Sequence, residues 1–81
     1  MKITVTKEHI DKGVPKDPRR CVIALAMKDA GLRSPTVLIR SAEYGWLHRR
    51  RVDLPPEARQ AACNFDAARD VQPFSFEVEK S

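Results

Sequence analysis

Asp17-Pro18-Arg19-Arg20-Cys21-Val22-Ile23-Ala24-Leu25-Ala26-Met27-Lys28-Asp29-Ala30-Gly31 reads as one helix with both ends written into it. Asp17 is a favoured N-cap, because its carboxylate accepts an orphan N–H of the first turn. Pro18 suits the first helical position, where no N–H is needed. Gly31 closes the stretch, since glycine enters the left-handed conformation that ends many helices. Between these marks Val22, Ile23, Leu25, Ala26, Met27 and Ala30 cover far more than a narrow stripe. A helix apolar over most of its girth belongs in a core, and the rest of the chain must wrap it.

Upstream, Lys2-Ile3-Thr4-Val5-Thr6 alternates, with Ile3 and Val5 on one face, as in a half-buried strand. Thr6 then caps a short helical turn, Lys7 to Lys12, in which Glu8 favours the positive end, Ile10 is the apolar anchor and Gly13 is the stop. Residues 13–16 form a loop leading to Asp17. Downstream, Ser34-Pro35 breaks the helix, and Thr36 to Arg40 reads as a strand apolar on both faces, with Val37 and Ile39 against Leu38. Ser41 to Gly45 reads as a turn, and Trp46 to Leu54 as a third strand in hairpin with the second. In that third segment Trp46, Val52 and Leu54 share a parity with His48 and Arg50, while Leu47 shares the other with Arg49 and Arg51. No register buries the apolar set without burying an arginine, so a bulge or a strand end near Arg49 is required.

Pro55, Pro56 and Glu57 open a second helix. Its stripe of Ala58, Ala61, Ala62 and Phe65 follows i, i+3, i+4, i+7 and fades between Asp66 and Asp70. Gln72 to Glu79 alternates again, with Phe74, Phe76 and Val78 on the core face, and Pro73 suits a strand start or a sheet edge. The order predicts a single α+β domain over residues 1–81. It is a two-layer, βαββαβ, ferredoxin-like split βαβ sandwich with an extra helical turn after the first strand. Its core holds Ile3, Val5, Val22, Ile23, Ala26, Met27, Phe65, Phe74, Phe76 and Val78. An open α+β meander with another strand order is the alternative closure.

Eighty-one residues bury only about 60–65% of the unfolded surface, which leaves no room for a large cavity beside the core. No apolar run approaches the ~20 residues that span a bilayer, and no signal-peptide core is present, which predicts a cytoplasmic protein. Cys21 reads as a small buried hydrophobe and Cys63 as more exposed, and a reducing cytosol disfavours a disulfide between them. The net charge of +4 is unevenly spread. Residues 33–51 carry five arginines against Glu43 alone, whereas residues 52–81 carry six acids and three bases. Such polarity steers a partner of complementary charge.

Ile3-Thr4-Val5-Thr6-x-Glu8-His9-Ile10-x-x-Gly13, Cys21-x-Ile23-Ala24-Leu25-Ala26, Leu54-Pro55, Phe65-Asp66 and Pro73-Phe74-Ser75-Phe76 together resemble small uncharacterised accessory proteins of bacteriophages and prophages. The resemblance implies a phage-accessory context in a bacterial host. In that context small proteins bind a host machine and block it, anti-CRISPR proteins being one such class of inhibitor.

The most suggestive constellation is Arg49-Arg50-Arg51 with Arg40, Tyr44, Trp46 and His48. Guanidinium groups pair with carboxylates or phosphates, and the aromatic rings offer contact area or a stacking platform. The competing reading is a solvated hairpin edge whose charges discourage sheet pairing, with Trp46 in the core. The first strand offers Lys2, Thr4 and Thr6 in place of exposed aromatics, which disfavours an RNA-recognition module. His9, His48, Cys21 and Cys63 lack metal-ligand spacing. No nucleophile motif, phosphate loop or paired carboxylates point to catalysis. The prediction is therefore a non-enzymatic binder of a macromolecular partner, a protein first and nucleic acid second, with no cofactor, membrane or small-molecule substrate. The last strand also offers an edge for a homodimer.

Overall fold

A computed structural model of the chain describes residues 1–38 and 40–78. Along it run β1 (Lys2–Val5), α1 (Lys7–Lys12), α2 (Val22–Asp29), β2 (Thr36–Val37), β3 (Ser41–Tyr44), β4 (Arg50–Asp53), α3 (Pro56–Asp66) and β5 (Phe74–Glu77). α2 is the hub, packing against α1, β1, β2 and α3. Ile23, Met27 and Val22 are among the largest side chains that are fully buried, together with Ile3 and Val5 of β1. Every residue of the predicted core lies in one apolar cluster, with Phe74 half-buried at its margin. Among the described residues no helix is long and apolar enough to cross a membrane.

The α+β content is as expected, but the strands form two ladders where one four-stranded sheet was predicted. β1 pairs antiparallel with β5, placing Ile3 opposite Phe76 and Val5 opposite Phe74. β2, β3 and β4 form a separate antiparallel meander. A ferredoxin-like order would seat β4 beside β1 in the sheet centre. β4 opens with the exposed Arg50 and Arg51, which suit a strand at the edge of its sheet better than one flanked on both sides.

Three boundaries move. α2 starts at Val22, not after Asp17, and its N-cap is Cys21, whose Sγ accepts the Ala24 N–H at 3.4 Å. The Asp17 carboxylate instead accepts from Arg19 N–H two residues on, and the Pro18 carbonyl accepts the Val37 N–H of β2 at 2.7 Å. With that carbonyl engaged by another strand, residues 17–20 close into turns. β2 is only two residues long, because Leu38 N–H turns back to the Ser41 carbonyl. The predicted turn at 41–44 is β3, in which Ala42 and Tyr44 point to the core. The predicted strand residues Ile39 and Glu79 lie outside the described set.

His9 has a role that its neighbours in sequence did not suggest. Its N–H donates to Thr6 Oγ1 while Thr6 N–H donates to its Nδ1 at 3.0 Å, a capping box with histidine where glutamate or glutamine is usual. Nδ1 is thereby an acceptor, so Nε2 carries the proton and donates to Asp29 Oδ2 at 2.5 Å, tying α1 to the end of α2.

Candidate functional site: the β3–β4 loop

Five residues, Gly45-Trp46-Leu47-His48-Arg49, join β3 to β4, and their shape follows from two of them. Gly45 has φ +119°, and a Cβ there would sit 2.6 Å from the His48 carbonyl oxygen, so only glycine lets the chain fold back this tightly. Its N–H donates to the Arg33 carbonyl at 2.8 Å, which fastens the loop to the segment after α2. Arg49 completes the fastening. Its Nη1 donates to the Ser34 and Gly45 carbonyls at 2.6 and 2.9 Å, and its Nη2 to Thr36 Oγ1 at 3.0 Å. All three acceptors are uncharged, so these bonds hold the guanidinium in place without neutralising it.

Pinned at both ends, the loop pushes Trp46 and Leu47 outward. They are 71% and 80% exposed, the two most exposed large apolar side chains among the described residues. Arg33 stands over the indole at 5.7 Å from the ring centroid, a cation–π contact worth about 0.5–1 kcal/mol at an exposed site. Residues 44–52 contain no acid, and His48 and Arg50 are exposed beside the apolar tip. The mismatch of register along 46–54 is resolved by β4 beginning at Arg50, with the troublesome residues left outside the ladder.

The predicted constellation therefore divides. Trp46, His48, Arg49 and Arg50 come together at the loop. Arg51 lies opposite Glu43 in the register and pairs with it at 3.4 Å, an exposed cross-strand ion pair of small energetic weight. Arg40 is exposed elsewhere, on the groove between β2 and α3. Tyr44 is in the core at 6% exposure, and its hydroxyl is buried with no hydrogen-bond partner among the described residues. The earlier alternative of Trp46 as a core residue is corrected, since the core aromatic of the hairpin is Tyr44.

Two contributors escaped the sequence reading. Arg33 is distant in the chain and meets the loop through the Gly45 hydrogen bond to its carbonyl and the stacking of its guanidinium over Trp46. Leu47 had a signal, as the single apolar residue on the arginine parity, which a strand register could not place. Among the described residues no three of His, Cys, Asp and Glu are grouped to hold a metal ion. No family model, curated protein or solved structure matches the chain.

Proposed function

We propose that this chain is a small, non-enzymatic binding module that docks on an acidic patch of a protein partner through the β3–β4 loop. Trp46 and Leu47 supply the apolar contact, Arg33 supplies complementary charge, and His48 and Arg50 border the contact. Arg49 acts beneath them as the scaffold. The carrying observation is the adjacent pair Trp46 and Leu47, held in solvent by a loop fastened from both sides. Trp and Arg are the side chains that most often dominate interface energetics, and a cation-rimmed apolar tip fits a partner surface of opposite charge. The phage-accessory resemblance belongs to the same proposal: occupancy of a host protein by the loop modulates or inhibits it, as anti-CRISPR proteins do. The reading does not depend on a ferredoxin-like closure.

Nucleic acid is the rival occupant of the same loop. An aliphatic tip adds nothing to phosphate contact, so Leu47 favours protein. The test is affinity capture from bacterial lysate with the wild-type chain and with Trp46→Ser/Leu47→Ser. It is run beside a mobility-shift titration on single-stranded and duplex DNA and on RNA at low salt. A protein captured by the wild type and lost by the variant, at unchanged circular dichroism and urea midpoint, supports the reading. Retardation of nucleic acid with steep salt dependence replaces it with the rival. Capture that survives the double substitution removes the loop from the function. An unfolding free energy lowered by more than about 1 kcal/mol in the variant gives the two side chains a structural role instead.

A further inference from the structure

A second feature lies on elements that the loop does not use. Residues 16–21, β2 and α3 enclose an open groove of about 1100 Å³, large enough for a small ligand although the chain is too short for an enclosed cavity beside its core. The walls are laced together by hydrogen bonds between elements: Val37 N–H to the Pro18 carbonyl at 2.7 Å, and Lys16 N–H to Asp66 Oδ1 at 2.8 Å. The lining is mainly apolar, including Val37, Leu38, Ala62 and Pro18.

Its charges are not balanced. Lys16, Arg40 and Arg59 line the groove together with Asp17 and Asp66. Both acids already accept backbone N–H groups, Asp66 from Lys16 and Asp17 from Arg19. Among the described residues the guanidinium groups of Arg40 and Arg59 have no acid paired with them, and the Nε–H of Arg59 is covered by protein without an acceptor. A covered donor with no partner costs about 1–3 kcal/mol. The planar edge formed by Nε and Nη matches a carboxylate bidentately.

We infer that this groove binds an amphiphilic carboxylate, its alkyl body along Val37, Leu38 and Ala62 and its head on Arg59 with Arg40 beside it. The recognition is by charge sign as well as by apolar area, so an amphiphile of equal length and opposite charge is excluded.

Cys63 gives the experiment its readout, because it is exposed and lines the groove, whereas Cys21 is buried and its thiol is pushed up by desolvation. The native protein is alkylated with iodoacetamide alone, with dodecanoate below its micelle concentration, and with dodecyltrimethylammonium at equal concentration. Saturable, several-fold slowing of Cys63 alkylation by dodecanoate and none by the cation is the expected result. Arg59→Gln raises the half-saturating concentration about tenfold, in line with losing one charge-assisted bond, and Arg40→Gln raises it less. Circular dichroism shows whether each variant is folded; if Arg59→Gln is not, Arg40→Gln alone carries the comparison. Absence of slowing, equal slowing by the cation, or wild-type half-saturation in every folded variant overturns the assignment.

Discussion

Helices α2 and α3 end in the same motif with opposite residues at its critical position, and the pair makes a matched test of backbone energetics. After α2, Gly31 has φ +97°; its N–H bonds the Lys28 carbonyl at 3.0 Å and Leu32 N–H bonds the Met27 carbonyl at 3.1 Å. After α3, Ala68 has φ +60°; its N–H bonds the Phe65 carbonyl at 3.1 Å and Arg69 N–H bonds the Asn64 carbonyl at 2.8 Å. Both are Schellman closures, which favour glycine at the left-handed residue. An alanine there carries about 1–2 kcal/mol of steric cost, whereas a glycine adds about 0.5–1 kcal/mol of unfolded-chain freedom. Ala68→Gly is therefore expected to stabilise the fold by about 0.5–1 kcal/mol. Gly31→Ala should lose a similar amount by backbone strain alone, because a Cβ at Gly31 meets no atom within 4 Å. Urea unfolding followed by far-UV circular dichroism should show the midpoints moving in opposite directions at constant slope. Thermal midpoints should move by about 4–8 °C per kcal/mol in a domain of this size. A lowered midpoint in Ala68→Gly, or an unmoved one in Gly31→Ala, would refute the reasoning.

Two further outcomes are expected. Tyr44→Phe removes a buried hydroxyl that has no partner among the described residues, so the unfolding free energy from urea titration should hold or rise by about 1 kcal/mol; a clear loss would mean that the hydroxyl is bonded in solution. Burial pushes the Cys21 thiol up, which favours the folded state while the thiol is neutral. That contribution is complete below the unfolded thiol's titration near about pH 8.5, and it is lost as pH rises through the higher folded value. The wild type should therefore lose more stability between neutral and strongly alkaline pH than Cys21→Ser, whose hydroxyl can still cap Ala24; parallel urea profiles for the two would contradict the assignment.

Much of the core was legible because periodicity reports burial directly. Most of the apolar surface of α2, the alanine stripe of α3 and the alternation of β1 and β5 lie where their patterns put them, with Leu25 of α2 half-buried outside the cluster. What misled was local chemistry overruled by distant partners. Asp17-Pro18 has every mark of a helix start, yet the Pro18 carbonyl bonds β2, and Cys21 takes the cap. Ser41 to Tyr44 has turn-like composition, yet Ala42 and Tyr44 face the core and pair with β4 across the meander. The candidate site was half legible for the same reason. Its arginines stand together in sequence, but their division of labour depends on Ser34 and Thr36, which only the fold brings beside Arg49.

That division bears on why a small domain leaves its single tryptophan in water. Full burial of one large apolar side chain contributes about 1.5–3 kcal/mol, a substantial share of the stability available to a chain of this length. Stability alone would turn Trp46 and Leu47 inward. Instead, Gly45 supplies a backbone conformation that other residues resist, and Arg49 directs its charge at neutral oxygens beneath the loop. Both features fix the loop without shielding its tip, and Arg33 stands over the exposed indole. Apolar surface held by such fastening lowers the entropic cost of the proposed docking, because less remains to be ordered when a partner arrives. On the proposed function, the stability forgone by leaving Trp46 and Leu47 in water is recovered when a partner covers them.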